Sequence, residues 1–204
     1  MNHFKDASFP PGPWDPRLSA VACPALQPVE TMHENPWFSV RNRGGYFTVE
    51  YHATQIAVLP VIEDRWIVMV RVKRPVINDM TLELPAGGTE QGEDPVHAAA
   101  RELAEETGIR VTDIARFIPM PPLAVSSTRM PQLSYVFRVN LSEEEFSARG
   151  QHDDEIFSVE CVTVRDLPRM INQGSIYVSV PLAILSSYLS LRLLLIPEFA
   201  AKPT

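Results

Sequence analysis

One helix in this 204-residue chain has both of its ends written in its residues, and the stretch before it reads as strands. Asp94 can cap the free amides of a first turn, Pro95 suits the first helical position, and Gly108 supplies the left-handed residue that stops a helix. Between them PVHAAARELAEETG is carried by good helix formers, Ala98, Ala99, Ala100, Leu103 and Ala104. Upstream, YFTVEY from Tyr46, then TQIAVLPVI and RWIVMVRV, are β-rich runs, the last two parted by Glu63 and Asp64 as a turn. They predict a three-strand meander. MTLEL at 80–84 adds a short strand, and Pro85 with the loop 86–94 leads into the helix. Further strands are expected at 111–118, 133–139 and 157–164, helical turns near 142–147 and 165–172, and a closing helix over 181–195. Strands, a central helix, more strands and a terminal helix make a mixed α/β domain.

Composition fits that reading. Hydrophobic residues are 45% and charged residues 21%, enough to bury a core without disulfides. Nineteen prolines, about twice average usage, forbid a mostly helical chain. Seven of them fall before residue 40, where no periodicity of two or 3.6 is sustained, so residues 1–50 read as an N-terminal arm or small β layer and 51–204 as the main domain. Eighteen Lys plus Arg against 25 Asp plus Glu give a net charge of −7, which argues against nucleic acid as a partner. An acidic protein that handles phosphates needs a divalent cation as go-between. Cys23 and Cys161 sit in no metal or redox spacing. The start MNHFKDASFPPGPWDP holds no apolar run, and Val180 to Ile196 is too short and too polar to cross a bilayer. No membrane partner and a cytoplasmic location are expected.

The helix itself carries the chemistry. Glu102 and Glu106 are four apart and Glu105 is three from Glu102, so the three carboxylates share one helical neighbourhood. Like charges at this spacing repel by about 0.2–0.5 kcal/mol per pair, and no lysine intervenes. Hard oxygen ligands beside a Gly-rich loop suit Mg²⁺ or Mn²⁺, with substrate phosphates completing the shell. A solvated acidic face with an Arg101 to Glu105 pair is the plainer alternative.

Gly87, Glu93, Arg101, Glu102, Leu103, Glu105, Glu106, Gly108 and Ile109 fit G-x5-E-x7-R-E-U-x-E-E-x-G-U at every fixed position, U being a bulky aliphatic residue. This resembles the signature of the Nudix hydrolases. The resemblance implies an α/β/α sandwich around a mixed sheet, with the signature forming a loop, helix and loop. It implies Glu102, Glu105 and Glu106 as metal ligands, Glu93 and Arg101 as the tie between loop and helix, and the Ala86 carbonyl as a backbone ligand. The implied reaction is metal-assisted hydrolysis at a diphosphate phosphorus.

Two more segments narrow the substrate. Val70 to Pro75 (VRVKRP) and Leu82 to Gly88 (LELPAGG) are similar to stretches of ADP-ribose and nucleoside-diphosphate-sugar pyrophosphatases. The similarity makes Arg74 a phosphate contact and places Glu83 at the substrate, since a planar guanidinium can grip two phosphate oxygens. In that branch a proline past the signature is followed by Gly and an acidic residue; here Pro122 is followed by neither, which leaves other diphosphate sugars open. A catalytic base in such relatives comes from a later loop, matched by HDDE at 152–155, with Glu155 first and Asp153 second. Trp14, Trp37, Phe47 and Tyr51 are candidates for stacking a nucleobase, Trp37 foremost. A homodimer is implied. The rivals are a nucleotide-binding sensor that does not hydrolyse, and a hydrolase of dinucleoside polyphosphates or of a coenzyme A diphosphate.

Overall fold

The computed structural model describes residues 17–18 and 23–194. Trp14 lies outside the described residues. Two sheets are present among them. The smaller is antiparallel, with β1 (Val29–Glu34), β2 (Phe38–Arg43) and β3 (Tyr46–Tyr51) in the order β1-β2-β3. The larger is mixed and seven-stranded, built from β4 (Gln55–Ile62), β5 (Trp66–Arg74), β6 (Asp79–Glu83), β7 (Ala86–Gly88), β8 (Phe117–Leu123), β9 (Ser134–Leu141) and β10 (Ile156–Thr163). The helices are α1 (Pro95–Thr107), α2 (Glu143–Ser147), α3 (Leu167–Asn172) and α4 (Ser179–Leu194).

The expected meander of three strands is corrected here. β3 pairs only with β2 and leaves the main sheet to β4 and β5. The polar break at His52–Thr54 lets the chain change sheets, and the irregular-looking segment before Tyr46 turns out to supply two strands of the small sheet. β4 and β5 do form a hairpin over the loop 63–65, turned by Glu63 and Asp64 with left-handed φ of 47° and 54° and closed by Arg65 N–H donating to Ile62 O at 2.9 Å.

Alternation along β4 sets the layers. Ile56 and Val58 face α1, packing with Ala98, Ala99 and Leu103. Ala57, Leu59 and Val61 face the other way, onto Leu167 of α3 and Ile184, Leu185 and Tyr188 of α4. Both faces of the sheet are therefore covered, which is the α/β/α sandwich expected from the sequence. Leu103 is wholly buried, and a side chain of that kind contributes about 1.5–3 kcal/mol on burial.

The strand expected over 111–118 is also corrected. Residues 114–116 form a 3-10 turn and the strand is β8, written FIPMPPL. Three prolines are tolerated because β8 ends the sheet order and pairs only with β9; Pro121 and Pro122 fall in the register shift between Met120 and Leu123. α1 is capped as its residues predict: Asp94 accepts from Val96 N–H, and Gly108 has φ of 72° with its N–H donating to Ala104 O.

Candidate active site

Short strand β7 brings the Gly-rich loop under α1. Val58 N–H donates to Pro85 O at 2.8 Å and Ala57 lies opposite Ala86, so Ala86 occupies a position whose N–H and C=O point away from β4. They point at α1: Ala86 N–H donates to Glu106 Oε2 at 3.1 Å, and the next carbonyl on that edge, Gly88 O, accepts from Arg101 Nη2 at 2.8 Å. Gly87 between them leaves room for the Glu102 carboxylate. A Cβ there would sit 2.2–2.4 Å from the Glu102 carboxylate.

Arg101 organises the charges. Its Nε and Nη2 donate to the two oxygens of Glu93 at 3.0 and 2.9 Å, and its Nη1 donates to Glu102 Oε1 at 2.9 Å and Glu105 Oε2 at 2.8 Å. One guanidinium thus ties the loop to the helix and offsets the repulsion among the carboxylates, so the plain Arg101–Glu105 pair is present as well. Hydrogen bonding to Arg101 holds the Glu93 carboxyl below the usual range, while burial raises Glu102 despite that same arginine. Glu106 is the most perturbed: burial pushes it up to about 8, against the pull of the Ala86 amide and with Glu102 adding to the rise.

These donors suit a hard divalent cation. They are three carboxylates and an outward-facing Ala86 carbonyl, around a glycine whose missing Cβ keeps the space beside Glu102 open. As they stand among the described residues, no three His, Cys, Asp or Glu side chains are gathered into a ligand set, because Glu102 and Glu105 point at Arg101.

Arg74 and Glu83 reach the same place from β5 and β6. Arg74 Nε and Nη2 donate to Glu83 Oε1 and Oε2 at 2.8 and 2.9 Å, and Thr81 Oγ1 donates to Glu83 Oε1 at 2.6 Å. Burial raises the Glu83 carboxyl, but the bonds from Arg74 and Thr81 outweigh it and the group ends below its ordinary value. Glu83 is thereby fully engaged, whereas Arg74 keeps Nη1 outside these bonds on a side chain that is 45% exposed. The Arg74 charge feels both Glu106 and Glu155. Glu155 is exposed, at the turn before β10.

Asp153 is placed differently. Its N–H donates to Glu105 O at 2.9 Å, and it lines an open groove of about 460 Å³ with Arg101, Glu105 and Arg110. Trp37 projects from the β1–β2 turn with 71% of its surface exposed, at the Tyr51–His52 end of the small sheet, while Tyr46 and Phe47 are exposed at the opposite end of the β2–β3 pair. Phe47 O also accepts from Arg129, so the 124–133 loop is stitched to β3. Thr81 was not singled out from sequence. Its signal was available: the same hydroxyl-x-Glu tripeptide occurs as TVE at 48–50, TLE at 81–83 and SVE at 158–160.

Comparison with known proteins adds to this geometry. The NUDIX domain matches residues 51–179. The chain is 32% identical to an ADP-ribose pyrophosphatase of Bacillus subtilis (strain 168) over 132 residues, 62% of this chain and 66% of that protein. It is 29% identical to a methanol dehydrogenase activator of Bacillus methanolicus over 126 residues, again 62% and 66%, and 40% identical to an ADP-sugar pyrophosphatase of Mus musculus over 62 residues, 28% of each. The matched part spans just under two thirds of the length of the first two relatives.

Proposed function

The chain belongs to the Nudix family, and from that premise we propose that it hydrolyses the diphosphate bond of a nucleoside diphosphate linked to a sugar, ADP-ribose first, giving a nucleoside monophosphate and a sugar phosphate. The observation that carries the reading is convergence on one cation: Arg74 from β5 has both Glu106 of α1 and Glu155 of the turn before β10 within electrostatic reach. Mg²⁺, or Mn²⁺ in its place, would be held by Glu102, Glu105, Glu106 and the Ala86 carbonyl. Once bound it would neutralise phosphate oxygens and lower the pKa of a water ligand.

The chain's own groups do the rest. Arg74, fixed by Glu83 and Thr81, offers Nη1 to a phosphate oxygen without losing its existing bonds. Glu155 takes the proton of the attacking water, with Asp153 as the alternative base. Arg101 sets the rotamers of Glu102 and Glu105, and Glu93 fixes Arg101 in turn.

The reading extends to a homodimer in which the N-terminal segment up to residue 50 serves assembly and substrate recognition. It is supported by the exposed Trp37, Tyr46 and Phe47 on the small sheet. A monomer by sedimentation refutes that part. A cytoplasmic site of action accords with the two free thiols, Cys23 and Cys161, and no described helix is long and apolar enough to cross a membrane.

The deciding experiment is product release from a panel of ADP-ribose, other nucleoside-diphosphate sugars, dinucleoside polyphosphates and coenzyme A, with and without Mg²⁺. Hydrolysis of the diphosphate sugars that needs the metal supports the proposal. Binding without hydrolysis of any compound replaces it with a sensor role.

A further inference from the structure

The end of α1 and the loop carrying Glu155 are joined by main chain. Gly150 N–H donates to Gly108 O at 2.9 Å, and Asp153 N–H donates to Glu105 O at 2.9 Å. Glu105 O is a last-turn carbonyl, which lacks a partner inside the helix, and Gly108 O belongs to the left-handed residue that ends it; such carbonyls are normally left to water or a cap. Here the 150–153 segment takes them, so its backbone completes the helix that bears Glu102, Glu105 and Glu106. Ile156 N–H in turn donates to Asp153 O at 3.0 Å, which closes the turn holding Asp154 and Glu155.

The approach leaves no room for a side chain at Gly108. A Cβ at Gly108 would lie 2.3 Å from Gly150 O, 2.7 Å from its carbonyl carbon and 3.0 Å from its nitrogen. Those atoms belong to backbone and cannot swing aside, so the loop would have to retreat by about 1 Å to restore ordinary contact. Gly108 therefore has two separable demands on it: a left-handed φ of 72°, which asparagine also tolerates, and an empty Cβ position, which only glycine supplies.

We infer that Gly108 is a positioning residue for the reaction proposed above: it seats Gly150, and through the two backbone bonds it fixes how far the loop brings Glu155 toward the carboxylates of α1. The inference rests on that functional reading for its consequence in turnover, but the seat itself is a property of the chain. The free part of the loop is then short. Residues 150 and 153 are anchored to the helix and Ile156 begins β10, so what is left to adjust to a substrate is 151–152 and the 154–155 turn.

Gly174 provides an internal control, since it has the same φ of 72° and nothing within 4 Å of its Cβ position. The test is amide hydrogen exchange on the full-length protein, read by mass spectrometry over 149–155, for wild type, Gly108→Asn and Gly174→Asn, alongside turnover of ADP-ribose with Mg²⁺. In Gly108→Asn, exchange over 150–155 should rise at least tenfold and kcat should fall at least tenfold with KM within threefold. Gly174→Asn should match wild type in both. Should Gly108→Asn fail to fold by circular dichroism, Gly150→Pro removes the same hydrogen bond from the loop side, leaves the helix cap intact, and should show the same pattern. Unchanged exchange over 150–155 in the folded variant overturns the seat; faster exchange with unchanged turnover overturns its positioning role. If the wild type hydrolyses nothing, the exchange comparison still decides whether Gly108 seats the loop.

Discussion

Replacing Gly87 by alanine tests whether the Gly-rich loop and α1 are fitted to each other at atomic tolerance. The added Cβ would meet Glu102 Oε1, Cδ and Oε2 at 2.2, 2.3 and 2.4 Å. Gly87 is held in the β4–β7 ladder opposite Ile56, so the glutamate has to yield. Moving its carboxylate by about 1 Å forces an off-rotamer torsion, about 0.5–1.5 kcal/mol, and breaks the 2.9 Å bond from Arg101 Nη1, a charged hydrogen bond of about 1.5–3 kcal/mol. Nη1 keeps Glu105, which recovers part of the second loss. The expected net destabilisation is about 1–3 kcal/mol, a fall in Tm of roughly 2–12 °C for a chain of this size. The larger effect should be on the divalent ion: the Mg²⁺ concentration giving half-maximal turnover should rise at least tenfold. A double variant, Gly87→Ala with Glu102→Asp, shortens the offending side chain by one carbon. It should recover stability relative to the sum of the two single changes, the coupling expected of two residues in contact. Equal Tm and equal Mg²⁺ dependence for Gly87→Ala and wild type would refute this account of the loop.

Three other outcomes follow from the same structure. Glu155→Gln should lower kcat by about a hundredfold or more with little change in KM, and unchanged turnover would transfer the role of base to Asp153 or to a helix glutamate. Thr81→Val should raise KM severalfold with kcat nearly constant, because Glu83 loses one of the bonds that fix Arg74; an unchanged KM in steady-state assays would detach Thr81 from the site. The Glu145 carboxyl, bonded by Arg116 and by the Ser142 N–H, is held down to about 2. A depressed carboxyl contributes stability that is complete above its unfolded value, about 4.3, and disappears as pH falls through about 2. Urea titrations should therefore show a stability loss across that window that is smaller in Arg116→Ala, and identical slopes in the two proteins would refute it.

The parts of the fold that were legible in the sequence are those specified by neighbours in the chain. Asp94, Pro95 and Gly108 mark α1 to within a residue, and the turn at Glu63–Asp64 closes the hairpin where expected. Errors arose where partners far along the chain decide. YFTVEY reads as a strand and is one, but nothing in it reveals that β2 rather than β4 is its neighbour. The expected strand stops at 118 and PMPP at 119–122 reads as a loop because proline donates nothing to a ladder, yet an edge strand with a register shift can absorb all three prolines.

The site shows the same division with one addition. The spacing of Glu102, Glu105 and Glu106 is local and was legible, as was the pairing of Arg101 with Glu105. The engagement of Arg74 was not, because it depends on the register that sets β5 against β6. Yet the device recurs. In each of three places an arginine places Nε and Nη2 on the two oxygens of a glutamate across a strand pair, and a hydroxyl two residues before that glutamate donates to the same carboxylate. These are Arg43 with Glu50 and Thr48, Arg74 with Glu83 and Thr81, and Arg71 with Glu160 and Ser158. Residues two apart on a strand lie on one face, so hydroxyl-x-Glu aims both groups at one point and leaves the glutamate saturated. An arginine so held is a rigid cation with one free nitrogen. At Arg43 and Arg71 the device fastens strands, whereas at Arg74 it stands beside Glu106 and Glu155, where a fixed cation is of use to a phosphate. Location and not composition separates the structural copies from the one at the site.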